Sequence, residues 1–392
     1  MEEVKSGDMT LRIAVITETF YPFRGGSAKR YLEVFSRLVK RGYDVDVYTV
    51  RLSEDWPYRE EYRGINIIRT LDALPNYITK DGFRDGYSIL KYLLWLKRNF
   101  HPKEYDVIEA NHCPIFPVFL SRYKKESRQP LISTVHEVWY DEWYNYVPHW
   151  IYAPFGMAFE KLMMYMPNHF ISVSRFTTKR LVNLMGVDVR RITTIYNGVD
   201  LKLYNSIKAN KDSERIIYGG RLNPHKRLDL LLKSFQYLYK RYDVNLDIFG
   251  DGPMRSFIYR YISRNGMSKR VYIHGRVDDW RFAYLMKRGY VYVLPSIREG
   301  QSITTMEAMA AGTPQVTVRA RNNAAYELVS QAGSGLVAEL DAKDIANKIE
   351  MLINDSDMWV NLRFNGLFFI SNFDWESIAD MHRNVYESFS RR

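Results

Sequence analysis

Apolar residues recur along this chain in two patterns that take turns. Short β-branched runs at Leu11–Thr17, Asp44–Val50, Asp106–Glu109, Leu131–Val135, His169–Val173 and Arg191–Ile195 are bounded by turn residues and predict strands. Between several of them, stretches such as Ala28–Lys40 and Ser88–Arg98 place apolar residues at helical spacing. A second series follows the turn Asn197-Gly198-Val199-Asp200 and the polar run Lys208–Glu214. Its strands are Arg215–Gly219, Val244–Phe249, Val271–His274, Tyr290–Leu294 and Gln315–Val318. Strand and helix patterns that alternate through both halves predict parallel α/β architecture. The expected layout is two Rossmann-like domains, over residues 10–197 and 213–373, each a doubly wound, mostly parallel sheet, with a cleft between them. A linker is expected near residues 198–213. A last helix over 374–392, with Asp374 as its N-cap, can cross back to the N-terminal domain.

Length agrees with two domains, since 392 residues exceed what one core usually supports. The single cysteine, Cys113, excludes an intramolecular disulfide framework and any cysteine-based metal cluster, and makes a reducing, cytoplasmic setting the default. Order is expected to begin at Leu11, with Met9 a candidate start of translation. The apolar run Ile13–Ile16 has the length of a strand and not of a signal peptide. The greasiest stretch, Trp150–Pro167, contains Glu160, Lys161 and two prolines, which argues against a membrane span. A net charge of +11 fits a negative partner, whether nucleic acid, anionic lipid or a phosphorylated substrate, and equally a generally basic composition with no specific partner.

The most informative stretch is Pro295-Ser296-Ile297-Arg298-Glu299-Gly300-Gln301-Ser302-Ile303-Thr304-Thr305-Met306-Glu307. A strand leads into a loop with one glutamate, and a helix capped by Ser302 carries a second. Helix amino ends collect anions, so the Ile303 and Thr304 amides can hold a phosphate. Glu307 lies at i+4 from Ile303, on the same face, where it can accept from a ribose diol. Glu299 can reach whatever the diphosphate carries. The segment Tyr218-Gly219-Gly220-Arg221-Leu222-Asn223-Pro224-His225-Lys226-Arg227 crowds cations at a helix start, an unfavourable placement unless an anion sits among them. Arg221 and Lys226 are the candidates to neutralise the two phosphates.

In the first half, Gly25 and Gly26 follow strand one and permit close backbone approach, although they do not form a G-x-G-x-x-G fingerprint. His136 ends the strand Leu131–Val135, where ligands of doubly wound sheets gather, and Asn111 and His112 end the preceding strand, candidates for an acceptor side. Asp44-Val45-Asp46 has metal-binding spacing but falls in an alternating strand, so a solvent-facing strand edge is expected. The histidines show no zinc spacing, and neither a P-loop nor a G-x-S-x-G elbow is present.

With these motifs in order, and with FGDGP at Phe249–Pro253 and His274-Gly275-Arg276-Val277 beside them, the chain resembles the retaining glycosyltransferases of family 4, which have the GT-B architecture. The resemblance runs from Leu11 to the last helix. It implies that Glu299 holds hydroxyls of the donor sugar, Glu307 the ribose, and Arg221 and Lys226 the diphosphate, helped by Gly300, Ser302 and the amides of Ile303 and Thr304. It further implies that Gly25 and Gly26 approach the donor, that His136 touches the transferred sugar, that Val277 lies near the base, and that no metal or other cofactor is required. Gln301-Ser302 departs from the family's usual aromatic-glycine pair, and Tyr196 stands where many relatives have proline.

The expected activity is transfer of a hexose or related sugar from a UDP- or GDP-sugar to a hydroxyl acceptor, a glycan or a lipid-linked one. A UDP-sugar epimerase of the same architecture is the alternative enzyme. A basic nucleic-acid-binding protein is suggested by charge alone; no recognisable motif supports it, so nucleic acid is not expected as a partner. The segment Tyr87–Lys103 mixes apolar, aromatic and basic residues at helical spacing. It fits either a surface-lying contact with the inner face of an anionic membrane, with the apolar run Ile151–Met166 facing a lipid-linked acceptor, or an ordinary domain helix with its core stripe and a solvated basic face.

Overall fold

Both halves fold as parallel sheets with helices between the strands. The computed structural model describes residues 11–79, 83–112, 116–126, 129–147 and 150–390, so Met9 and Cys113 lie outside the described residues. The chain divides into two units: one runs to Ile195 and takes in the segment from Glu376 onward, and the other is Tyr196–Trp375.

Among the described residues the N-terminal unit has eight strands: β1 Arg12–Ile16, β2 Asp44–Thr49, β3 Arg59–Tyr62, β4 Ile65–Arg69, β5 Val107–Asn111, β6 Leu131–Val135, β7 His169–Ser172 and β8 Ile192–Thr194. Their order in the sheet is β3-β4-β2-β1-β5-β6-β7-β8, and only β3 runs antiparallel, against β4. Chain progression reverses between β1 and β5, which makes their carboxyl ends the place where this unit can bind a ligand. Every residue of β5, β6 and β7 is buried, as expected for strands covered on both faces. Asp46 corrects one expectation. It is buried, accepting from Tyr105 Oη at 2.6 Å, Asn66 Nδ2 at 2.8 Å and Arg12 at 3.1 Å, while Asp44 remains exposed.

The last helix, Trp375–Ser390, begins one residue after Asp374 and packs from Glu376 onward within the N-terminal unit. It lies against the helix Gly26–Val39, where Arg37 meets Glu376 at 3.0 Å and Tyr386 stacks with Phe35. Beneath this contact Arg30 and His382, both fully buried, meet at 2.8 Å, and Tyr386 donates to the buried Glu109.

In the C-terminal unit the strands are β9 Arg215–Gly219, β10 Asn245–Phe249, β11 Val271–Gly275, β12 Val291–Leu294, β13 Arg298–Glu299, β14 Gln315–Val318, β15 Asn322–Asn323 and β16 Gly335–Ala338. Six of them form one parallel sheet in the order β11-β10-β9-β12-β14-β16, and β13 pairs with β15 in a separate ribbon. The order reverses between β9 and β12. The stretch 198–213, expected as a linker, contains the helix Leu201–Ser206, whose Tyr204 is buried in the core of this unit.

Candidate functional site

The carboxyl end of β1 in the N-terminal unit leads through Glu18 to Gly25, the residue before the helix Gly26–Val39. Glu18 is buried and receives Arg84 Nε at 3.0 Å. At the end of β5, Asn111 donates to Thr17 Oγ1 at 3.2 Å, which ties it to β1. His112 is buried and contacts Glu160 at 3.1 Å. His136 follows β6 with its ring edge against Tyr31. Burial, then the charges of Arg30 and His112, push its imidazole down to about 3, so it is neutral near pH 7. Its Nε2 is buried without a hydrogen-bond partner among the described residues.

Glu160 is a residue that the sequence argument used only against a membrane span. Here it is fully buried and accepts from the amides of Trp139 at 2.9 Å and Tyr140 at 2.7 Å, and from Trp143 Nε1 at 2.9 Å. Burial opposes its ionisation, yet the contact with His112 and these amides win and hold its pKa below the ordinary glutamate value. It therefore fixes the backbone just after His136 and the ring of His112.

In the C-terminal unit the chemistry gathers at the reversal between β9 and β12. The loop after β9 turns at Gly220, carries the exposed Arg221, and enters a tight turn at Pro224–Lys226. That turn is stitched to the loop after β12, where Ile297 N donates to the His225 carbonyl at 2.9 Å and Ser296 Oγ to the same oxygen at 3.3 Å. β13 then holds Glu299 in register with Asn323 of β15. The result is direct contact between Lys226 Nζ and Glu299 Oε1 at 2.5 Å, with side-chain exposures of 16% and 8%.

Next comes the helix Ile303–Ala310, whose N-cap is Ser302, with Oγ accepting from the Thr305 amide at 3.3 Å. No protein acceptor takes the Ile303 or Thr304 amides among the described residues. Glu307, 6% exposed, sits in the second turn. Two strand tyrosines support the group from below. Tyr218 Oη donates to the Arg221 carbonyl at 2.9 Å, and Tyr292 Oη reaches Thr304 Oγ1 at 2.8 Å. Burial raises the Tyr292 phenol pKa, the Thr304 hydrogen bond lowers it, and the charges of Glu299 and Glu307 raise it further. His225 is pushed well below its ordinary value by burial and by Lys226, Arg298 and Arg221. Both carboxylates thus act on one buried phenol, and three cations on one imidazole. The loops after β9, β10 and β11 are joined edge to edge, with Gly220 N on the Phe249 carbonyl at 3.0 Å and Gly250 N on the Gly275 carbonyl at 2.8 Å. Val277, half-buried, stands on the third of these loops.

A family model described as "Glycosyltransferase Family 4" matches residues 24–203, and one described as "Glycosyl transferases group 1" matches residues 202–367. The chain belongs to glycosyltransferase family 4. It is 25% identical to an uncharacterized glycosyltransferase of Methanocaldococcus jannaschii, with 96% of this chain and 98% of that protein covered. Among solved structures it resembles a sucrose-phosphate synthase from Thermosynechococcus elongatus, with a TM-score of 0.79, 20% identity, and 96% and 98% of the two chains covered. It also resembles the HepE protein of Anabaena in complex with UDP-glucose, with a TM-score of 0.74, 17% identity, and 96% and 100% covered. These neighbours show the GT-B fold.

Besides Glu160, four residues stand among the candidate site residues without a sequence signal that singles them out. Tyr218 and Tyr292 lie in strand patterns, which do not say which hydroxyls reach the sheet's carboxyl edge. Arg298 was passed over although it stands beside Glu299. Asn323 was missed because β15 has only two residues and no apolar run.

Proposed function

We propose that this glycosyltransferase moves a hexose or related sugar from a UDP- or GDP-sugar to a hydroxyl of a glycan or lipid-linked acceptor, with retention of anomeric configuration and without a metal ion. The Lys226–Glu299 contact beside the start of the helix Ile303–Ala310 carries this reading. These two partly buried charges satisfy each other. A donor separates their tasks: Lys226 turns to the diphosphate, and Glu299 accepts from sugar hydroxyls. Negative charge builds on the β-phosphate as the anomeric bond breaks. Lys226, Arg221 and the Ile303 and Thr304 amides are aimed where it develops, the work that a magnesium ion would otherwise do. One such donor is typically worth ~10²–10³ in rate. Glu307, a turn deeper, takes the ribose diol, and Val277 lies toward the base. Retention follows if the acceptor attacks from the face that the leaving group vacates.

In the N-terminal unit, Gly25 and Gly26 offer backbone, and the unpartnered Nε2 of the neutral His136 suits a sugar hydroxyl. Asn111 and His112, both buried, shape the acceptor side from beneath.

A thermal-shift panel of UDP-, GDP- and ADP-sugars tests the donor. One nucleotide series is expected to stabilise the fold, by ~2.7 kcal/mol at a hundred times its dissociation constant. Arg221→Ala is expected to lower kcat ~100-fold with an unchanged circular dichroism spectrum. Near-wild-type turnover in that variant, or isomerisation of the donor sugar without an acceptor, overturns the reading.

A further inference from the structure

No helix among the described residues is long and apolar enough to cross a membrane. The N-terminal unit nevertheless exposes large apolar side chains on three neighbouring helices. Gly86–Asn99 shows Leu90 and Leu94, and Phe116–Lys124 shows Tyr123, 83% exposed. Around Ala153–Met163, Trp150, Phe155 and Tyr165 are exposed at 72%, 63% and 70%.

Topology explains why these helices share a face. The connections β4 to β5, β5 to β6 and β6 to β7 all step the same way across the sheet, whereas β1 to β2 steps the other way. Right-handed crossovers therefore put the three helices on one side and Gly26–Val39 on the opposite side, where the C-terminal helix already packs. Direct contacts make the surface continuous. Lys124 Nζ donates to the Lys97 carbonyl at 2.8 Å, and the Phe116 and Phe119 rings lie 5.7 and 6.4 Å from that of Phe159.

Charge identifies what covers this face. The chain has 45 Asp and Glu, and helices of this combined length would ordinarily carry several. The first two helices have none, and the third has only Glu160, which is fully buried. The outward charges are basic: Lys97, Arg98, Arg122 and Lys161. Of the flanking acids, Asp85 caps Ser88 at 2.8 Å, and Glu126, still exposed, lies 3.6 Å from Lys103. Exposed aromatic rings beside cations, with no outward acid on the three helices, suit lipid headgroups and their phosphates. A second copy would set these cations against each other across the contact.

We propose that this three-helix face docks the protein on an anionic lipid bilayer. The proposal stands independently of the sugar-transfer reading. Its test is flotation of the full chain with phosphatidylcholine vesicles, with and without phosphatidylglycerol, at low and high salt. Co-flotation is expected only with the anionic vesicles, and salt should release the protein. Removing cations in the combined variant Lys97→Gln, Arg98→Gln, Lys161→Gln is expected to weaken binding about fivefold per charge. Trp150→Ser with Phe155→Ser and Tyr165→Ser is expected to weaken it further at any salt concentration. Both variants should keep the wild-type circular dichroism spectrum and thermal-shift response to nucleotide, so a loss of flotation is not a loss of fold. Absence of flotation at low salt, or flotation unchanged in both variants, overturns the proposal. So does concentration-dependent dimerisation that the aromatic variant abolishes, which would assign the face to a second copy.

Discussion

At Ser302 the side chain and the backbone favour different residues. Its Oγ caps the helix Ile303–Ala310, which favours serine over glycine by a few tenths of a kcal/mol. Its φ of +75° lies where a Cβ is crowded and glycine is not. This strain explains why glycine is usual at the position in the family. Ser302→Gly is therefore expected to be neutral or to stabilise the protein by up to ~1 kcal/mol, because relief of strain exceeds the loss of the cap. Ser302→Ala keeps the strain, loses the cap, and should cost ~1 kcal/mol. Urea unfolding of both variants checks the order, and equal destabilisation would contradict it. The neighbouring Gln301 is buried and replaces an aromatic residue by polar contacts, accepting from the Asn197 amide at 2.7 Å. The cap was legible in the sequence; the positive φ was not, because serine carries no mark of it. Lys226 and Glu299 were each legible as site residues from their local motifs. Their direct contact was not, since it depends on how two loops 73 residues apart are stitched together.

The same limit appears at the level of elements. Short β-branched runs bounded by turn residues announced the central strands of both sheets. The edge hairpin β3–β4 went unseen because Arg59–Tyr62 is mostly charged, and β13 and β15 went unseen because two residues cannot show a period. Yet that ribbon positions Glu299, and the joined loops after β9, β10 and β11 position Arg221. At Gly250 the loop after β10 comes close against the loop after β9. A Cβ there would lie 1.9 Å from the Gly220 carbonyl oxygen, and φ is +126°. Gly250→Ala must push the Gly220–Arg221 loop aside. It is expected to cost ~2–3 kcal/mol of stability and, through a shift of about 1 Å, on the order of a hundredfold in turnover. If turnover is unchanged, the loop is not positioning Arg221 for catalysis.

For the molecule as a whole, the return of the C-terminal helix was open as an expectation, but its buried polar contacts were not legible. Arg30, His382, Tyr386 and Glu109 are distant in sequence, and none belongs to a motif. Buried histidines also set a pH dependence. Burial, then the charge of Arg191, push His169 down to about 4, and burial with Arg30 and His136 hold His382 well below its ordinary value. Below pH ~6.5 the unfolded chain binds protons that these native imidazoles refuse, so their contribution is complete above that pH and falls away below it, for His169 down to pH ~4. Glu109, raised mainly by burial, acts the opposite way, contributing at low pH and losing that contribution as pH rises. Unfolding free energy is expected to be lower at pH 5 than at pH 7.5, with ~2 kcal/mol of the difference removed in His169→Gln. An unchanged difference in that variant would show that the ring is protonated in the folded protein.

The most direct test of the diphosphate cradle is calorimetric titration of a nucleoside diphosphate and the matching monophosphate into the wild-type protein and Lys226→Ala, with the base chosen by the thermal-shift panel. The wild type should prefer the diphosphate by on the order of a hundredfold, and the variant should lose most of that preference while binding the monophosphate as before. An undiminished preference in Lys226→Ala would mean that the diphosphate does not sit between Lys226 and the start of the helix Ile303–Ala310.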